Sequence, residues 1–271
     1  MSDGAYTLRS PRAARPGNKW AGDYLFLVQN LVLKDFKIRY RNMSLGMFWS
    51  ILNPLVMMSV LWFVFTKIYA NQIPNFAVFV MCGIVPFNVF TISWLGGTTS
   101  LVDSAGLIKR VPVPREIIPI ASVLSNCVHL SFQIALLLLL VVATGQGINR
   151  YWLWLLVIWP LEIIFVTGIS LISSSLNIYI RDIRYVVESA NVVLFWLVPI
   201  FYTFSRIPPQ YRELYQFNPV AAMVLASRNI LLEGAAPPAS LLIKLACSSI
   251  LMLLVGILIF RRLQARFYDY L

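Results

Sequence analysis

The chain has 271 residues, of which 59% are hydrophobic and only 12% are charged. A soluble globular domain carries about 25% charged residues, so this composition excludes a water-soluble globule and indicates that lipid is the solvent. The formal net charge of +11 would favour nucleic acid as a partner of a soluble protein. In a membrane protein the same charge sets the orientation through its distribution among the loops, and we expect no nucleic-acid partner.

The first 22 residues are basic and contain proline, without the apolar core of a cleaved signal peptide. We therefore expect residues 1–22 to be a cytoplasmic N-terminal tail and residues 23–271 to be one membrane domain. All three cysteines lie in apolar runs without the spacing of a metal motif, which predicts small buried side chains. They are Cys82, Cys127 and Cys247.

The first predicted element is a helix from Asp23 to Asn42. At about 100° per residue, one narrow stripe of this helix is polar and a different side is apolar. The stripe consists of Asn30, Lys34, Lys37 and Arg41, with Arg39 at its edge, and the apolar side carries Leu25, Val28, Val32 and Phe36. This pattern predicts an amphipathic helix on the inner membrane surface, with its basic stripe toward phosphates. A turn at Leu45–Gly46 then leads the chain into the membrane. Alternatively, the helix only orients the first span.

Six stretches approach the ~20 apolar residues that a membrane span requires. They are Trp49–Tyr69, Phe76–Leu95, Ile117–Thr144, Trp152–Tyr179, Val186–Thr203 and Leu241–Phe260. Of the 22 Lys and Arg residues, sixteen fall on one side of these spans and six on the other. The sequence therefore predicts an all-α protein with six transmembrane helices and both termini in the cytoplasm.

The longest outer loop, Phe204–Ser240, contains an apolar stretch that is too short to cross a membrane. Asn218 and Pro219 have the residue types of a helix cap and first helical position, and Val220–Leu232 follows. This pattern predicts a re-entrant helical segment. A helix that packs flat on the outer surface is the alternative.

The cytoplasmic loop after the second span predicts one short helix over Ser100–Lys109, with Ser100 and Asp103 in capping positions. A short helix held away from the membrane suits docking into another protein. The residues that we assign to this docking are Ser100, Leu101, Asp103, Leu107, Lys109 and Arg110.

The sequence has no GxxxxGK[ST] phosphate loop, no metal-ligand spacing and no catalytic residues that we can identify. A membrane transporter without a nucleotide-binding motif takes its energy from an ion gradient or from a separate subunit. His129 and Glu162 are predicted to lie at similar depths in the third and fourth spans. They form either a neutral structural pair or a proton-carrying pair.

Aromatic residues are concentrated in the first and fifth predicted spans. Sugar rings pack on aromatic faces and slide along them, so such a lining could conduct a polysaccharide. Packing against lipid or neighbouring helices is the alternative for each residue. The predicted channel aromatics are Trp62, Phe63, Phe65, Tyr69, Phe195, Trp196, Phe201 and Tyr202.

Four segments, in this order, resemble the membrane subunit of type 2 ABC exporters, in the polysaccharide and polyol-phosphate branch. They are KIRYRNMSLGMFWSILNPL, IKRVPVPREIIP, NIYIRDIRYVVE and the outer FNPV. The resemblance implies that the first helix is the interface helix, that Ser100–Lys109 is the coupling helix for an ATPase, and that Val220–Leu232 belongs to the outer re-entrant pair.

The resemblance further implies a homodimer in the bacterial inner membrane that pairs with two copies of an ABC ATPase. The chain itself needs no cofactor, since ATP and Mg are on the ATPase. The cargo is an O-antigen-like, lipid-linked polysaccharide, or alternatively a teichoic acid. Its pyrophosphate is expected at Lys34, Lys37, Arg39 and Arg41, beside the Leu45–Gly46 turn. Two other classes stay open at this point, a proton-coupled carrier that uses His129 and Glu162 and a non-transporting scaffold.

Overall fold

A computed structural model describes residues 23–41, 46, 48–69, 73–110 and 113–270, apart from the side chains at 39, 40, 129, 214, 268 and 269. The predicted tail, Leu45, and the side chains of Arg39 and His129 lie outside the described residues. The described chain is helical. Its α-helices are α1 Tyr24–Tyr40, α2 Phe48–Phe63, α3 Phe76–Asp103, α4 Ala105–Arg110, α5 Ile117–Ala143, α6 Leu155–Tyr179, α7 Ile183–Leu197, α8 Pro209–Phe217, α9 Pro219–Leu231, α10 Ala239–Leu263 and α11 Phe267–Tyr270.

Five helices are long and apolar enough to cross a membrane, which makes this a multi-pass membrane protein. The five spans are Phe48–Ile68, Phe76–Asp103, Ile117–Ala143, Arg150–Tyr179 and Ala239–Arg266. Three of them are longer than α2, α6 and α10 because they include the adjoining helical turns. These five confirm the first four predicted spans and the last one. The second extends eight residues beyond its predicted end at Leu95.

The predicted fifth span, Val186–Thr203, has a different structure. Helix α7 has 15 residues, which is shorter than the ~20 that a span requires. It ends at Leu197, because Pro199 disfavours helical backbone at the residue before it, and Val198 is extended with ψ 136°. The hydroxyl of Tyr202 donates to the Leu197 carbonyl at 2.6 Å and so satisfies one carbonyl of the helix end. A total of six spans stays a prediction.

Helix α3 is the centre of the bundle. It packs against α2, α5, α6, α7 and α9, and buried side chains occur along it from Phe76 near its N-terminal end to Leu101 near its C-terminal end. Helices α6 and α10 approach each other most closely at Gly168 and Gly256. A Cβ on Gly168 would lie 2.6 Å from the backbone of Met252, so only glycine permits this contact, as is common between membrane helices.

Helix α1 is confirmed as a separate helix in front of the membrane helices. Asp23 caps it by accepting a hydrogen bond from the Leu25 N–H at 2.9 Å. Leu31 is buried against Ile117 and Ala121 of α5. Val28 and Val32 of the predicted apolar side pack against the same cluster, whereas Leu25 is 68% exposed.

Helices α8 and α9 form the part of the fold that the sequence predicts to be outer. Asn218 caps α9 through a 3.0 Å hydrogen bond from the Val220 N–H, as its sequence predicts. Ten of the 13 residues of α9 are buried, since α3, α6, α8 and α10 surround it. This burial disfavours a helix lying flat on the surface, while a re-entrant position in the membrane stays a prediction.

Candidate functional site

The basic stripe of α1 lies on one face of the helix, as predicted. Lys34, Lys37 and Arg41 line a shallow groove of ≈ 390 Å³ together with Asn30, Leu33 and Ile38. The Lys34 ammonium is 4.0 Å from the Asp35 carboxylate, and both side chains are partly exposed. The groove therefore presents cations to the solvent or to a membrane surface.

Gly46 follows this stripe with a φ of +47°. This backbone conformation costs glycine little and strains other residues. It agrees with the turn that the sequence predicts before the first span. Leu45, the other residue of the predicted turn, lies outside the described residues.

A larger polar cleft of ≈ 480 Å³ lies between α1, α3 and α5. It joins two sites that the sequence keeps apart, since Lys34 of the basic stripe and Ser100 and Asp103 of the predicted docking loop line the same cleft. Its other lining residues are Asp35, Ile38, Gly96, Thr99, Ser104, Ser122 and Ser125. The hydroxyl groups and the ammonium can bind phosphate or sugar hydroxyls. Sequence analysis missed Thr99, Ser122 and Ser125, because serine and threonine are frequent throughout the chain.

The single short helix predicted over Ser100–Lys109 is wrong. Helix α3 continues to Asp103, Ser104 forms a turn, and α4 begins at Ala105. The Ser100 hydroxyl donates to the Gly97 carbonyl at 2.7 Å, so Ser100 bonds back within α3 and does not cap a new helix. Asp103 is an exposed residue of the last turn of α3.

Helix α4 is anchored by two neighbouring side chains. Leu107 packs with Leu31 of α1. Ile108 is buried with Leu101 of α3 and with Phe260 and Phe267 of the C-terminal segment. Lys109 and Arg110 are exposed. Of the predicted docking residues, Ser100, Leu101 and Leu107 therefore face inward, while Asp103, Lys109 and Arg110 are available to a partner.

The C-terminal segment after α10 forms part of the surface against which α4 packs. The sequence did not reveal this contact. Arg115 donates to the Gln264 carbonyl and lies over the Phe267 ring, 5.8 Å from its centroid. The Tyr179 hydroxyl donates to the Leu263 carbonyl at 2.6 Å. These contacts explain why Phe267, only a few residues from the chain end, is completely buried.

The predicted channel aromatics divide into two sets. One set packs around Phe201, whose ring centroid is 5.1 Å from that of Phe65 and 5.3 Å from that of Tyr202; Phe195 belongs to the same cluster. The other set is exposed at the bundle surface and consists of Trp62, Phe63, Tyr69 and Trp196. The exposed set has the most surface for contact with a ligand or lipid, while Trp196 also packs on the Phe201 ring at 5.4 Å.

Glu162 is 2% exposed, in the interior of α6. Among the described residues, neither of its carboxylate oxygens has a hydrogen-bond partner. The side chain of His129 lies outside the described residues, so the predicted pair with Glu162 stays a prediction.

Residues 27–232 match the model of a family described as ABC-2 type transporter. The O-antigen export system permease protein RfbA of Klebsiella pneumoniae is 31% identical over 250 residues, which cover 92% of this chain and 96% of the relative. A protein of the same name from Myxococcus xanthus is 28% identical, with 91% and 95% covered. The polysialic acid transport protein KpsM of Escherichia coli is 26% identical, with 86% and 92% covered.

Proposed function

Because the chain belongs to the ABC-2 type transporter family, we propose that it is the membrane subunit of an ATP-driven exporter for a lipid-linked polysaccharide. Two copies form a channel through the bacterial inner membrane and work with two copies of a separate ABC ATPase. Both termini are cytoplasmic, in agreement with the uneven distribution of Lys and Arg. The names of three relatives, which describe O-antigen export and polysialic acid transport, support a polysaccharide cargo.

The observation that carries this proposal is the polar cleft between α1, α3 and α5. Lys34 connects the basic stripe to the cleft, and Ser100 and Asp103 of the cleft immediately precede α4. A phosphate group bound at Lys34 thus lies next to the segment that docks the ATPase. The arrangement supports coupling between cargo binding at α1 and ATP hydrolysis at α4.

The headgroup end of the cargo suits the basic stripe. A pyrophosphate carries at least two negative charges, and each Lys or Arg near a membrane surface contributes ~1 kcal/mol to the attraction of anions. Lys34, Lys37 and Arg41 are close enough along one helix face to attract the same group. The polysaccharide chain attached to this headgroup then passes along the exposed aromatic side chains of Trp62 and Trp196.

The docking of the ATPase is assigned to α4. Its partly buried Leu107 and its buried Ile108 connect it to α1 and to the C-terminal segment, respectively. Displacement of α4 by the ATPase therefore acts on both elements at once. Lys109 and Arg110 form the exposed part of this contact.

The test is ATP hydrolysis by permease and ATPase reconstituted together in liposomes, with and without lipid-linked polysaccharide. We expect the cargo to stimulate hydrolysis and the permease alone to hydrolyse no ATP. The double variant Lys34→Ala/Lys37→Ala is expected to raise the half-saturating cargo concentration about 30-fold, since two charges at ~1 kcal/mol each are removed.

Arg261→Ala/Arg262→Ala is the matched control, because these two residues are also exposed cations, in the last turn of α10, and line neither the groove nor the cleft. It is expected to leave the half-saturating concentration unchanged. Equal effects of both changes would mean that the lysines act only through general membrane charge. An absence of cargo stimulation in the unmodified complex would contradict the proposed function itself.

A further inference from the structure

Arg228 of α9 is a buried charge that the transport function described above does not use. Arg228 is 5% exposed, and an arginine side chain stays protonated in proteins. A buried cation is costly unless other groups replace its water. Among the described residues, Arg228 makes no ion pair, since the two that occur there join Lys34 to Asp35 and Arg184 to Glu188.

Backbone carbonyls take the place of a carboxylate around this guanidinium. Nη2 donates to the Ile200 carbonyl at 2.6 Å and to the Phe79 carbonyl at 3.4 Å. Nη1 donates to the Tyr202 carbonyl at 3.4 Å. The guanidinium carbon also lies 3.6 Å from the centroid of the Phe79 ring, in cation–π contact.

These contacts tie three elements together at one point. Ile200 and Tyr202 belong to the segment after α7, where the helix has ended and carbonyls lack helical partners. Phe79 belongs to the outer part of α3, and Arg228 itself belongs to α9. The side chain thus fixes an irregular segment to two helices, and it satisfies the carbonyl of Ile200, a fully buried residue outside any helix.

Arg228 lies at the boundary between a polar cleft and an apolar cluster. On one side is a cleft of ≈ 400 Å³ whose lining includes Arg228, Gln216 and Glu233. On the other side, Ile200 and Phe201 are buried with Val220 and Val224 of α9. Apolar side chains exclude water, so this cluster separates the cleft from the interior. Two of its members, Ile200 and Phe201, belong to the segment whose carbonyls Arg228 bonds.

We propose that Arg228 is the positioning residue of an outer water barrier, holding residues 198–202 against α9 and α3 so that the apolar cluster beneath them stays closed. This inference rests on the proposed function only in taking α8 and α9 as the outer side. An arginine is needed because its planar fork reaches carbonyls of two segments and also stacks on a ring, whereas a lysine ammonium is a single point.

Cys82 is a native reporter of this barrier. It follows Phe79 by one turn of α3, so both side chains lie on the same side of the helix. It is completely buried in a second apolar cluster, which includes Ala222, Met223 and Ala226 of α9, the helix that carries Arg228. Cys127 is half-buried and Cys247 is exposed, which corrects the expectation that all three are buried. Replacing Cys127 and Cys247 by serine leaves Cys82 as the single thiol.

The experiment measures the rate at which a membrane-impermeant maleimide, added outside intact cells or spheroplasts, labels Cys82. Labelling is normalised to that of the denatured protein. Against the slow rate of the parent, we expect Arg228→Gln to label at least tenfold faster and Arg228→Lys at least threefold faster. Neither ATP nor polysaccharide is needed, so a permease that fails to export still yields a valid labelling result.

Arg212→Gln is the matched control. Arg212 also donates to backbone carbonyls, those of Ile207 and Ser205, each at 2.8 Å, but these contacts stay within the outer loop. It is expected to label at the parent rate. If Arg228→Gln fails to fold, as judged by size-exclusion elution, Arg228→Lys and Phe79→Leu replace it, since Phe79→Leu removes the stacked ring and keeps the carbonyl.

Parent-like labelling of folded Arg228 variants would overturn the inference. Equally fast labelling of Arg212→Gln would also overturn it, because the barrier would then depend on the outer loop in general.

Discussion

At the predicted cytoplasmic end of the bundle, α4 has a single buried residue, Ile108, whereas at the predicted outer end ten of the 13 residues of α9 are buried. The glycines show the same contrast. A Cβ on Gly83 of α3 would lie 3.0 Å from the backbone of Ile200, whereas a Cβ on Gly106 of α4 would have no atom within 4 Å. The difference teaches that α4 is held at few points, while the predicted outer end is packed as a fixed wall.

The charges at the two ends follow the same division. Lys34, Lys37 and Arg41 line an open groove, so their charges act on whatever lies beside α1. Arg228 is buried and its charge is used inside the fold. The charges of Lys34, Lys37 and Arg41 are therefore available to groups outside the fold, whereas the charge of Arg228 interacts with groups inside it.

The strongest test of the comparison changes the single buried residue of α4. Ile108→Asp places a carboxylate among apolar side chains, which costs several kcal/mol, so we expect α4 to leave its seat. Co-purification of the ATPase should fall at least tenfold, and export with it, while the membrane helices stay inserted. Gly106→Ala is the control and should keep both, because the added methyl group meets no atom.

A second test addresses the fixed wall at the outer end. Gly83→Val is expected to lower the free energy of unfolding by about 1–3 kcal/mol, since the backbone of Ile200 cannot move away easily. The measurement is the thermal midpoint of the purified protein, compared with that of Gly106→Ala. An unchanged midpoint for Gly83→Val would show that the outer end is as yielding as α4.

A smaller effect is expected at the basic stripe. Arg39→Lys/Arg41→Lys keeps the charge but removes the planar fork that binds a phosphate through two hydrogen bonds. We expect export to fall about fivefold, equivalent to ~1 kcal/mol, with normal insertion and ATPase assembly. Export at the unmodified rate would leave these arginines only the role of holding α1 on anionic lipid.

The smallest effect is expected at Glu162. If this buried residue is part of a neutral structural pair, Glu162→Gln should keep export within about twofold, because an amide also forms hydrogen bonds. Export assays in cells, with protein levels measured in parallel, check this expectation. A folded but inactive Glu162→Gln protein would instead favour a proton-carrying role for Glu162 and His129.

Local chemistry made much of the fold predictable. The five long membrane helices follow from apolar stretches of the required length. The cap at Asn218 follows from a residue type that bonds to the next turn of its own chain. The common face of Lys34, Lys37 and Arg41 follows from helical spacing alone. Each of these features depends on residues that are near one another in sequence.

Contacts between distant segments decided the rest. The burial of Ile108 depends on Phe260 and Phe267 of the C-terminal segment, and the cleft that joins Lys34 to Ser122 exists only because α1 packs on α5. Arg228 looks like any other outer-side cation in the sequence. Its position is set by carbonyls of Phe79 and Ile200, which lie 149 and 28 residues away along the chain, because burial and partner choice depend on neighbours that only tertiary packing brings together.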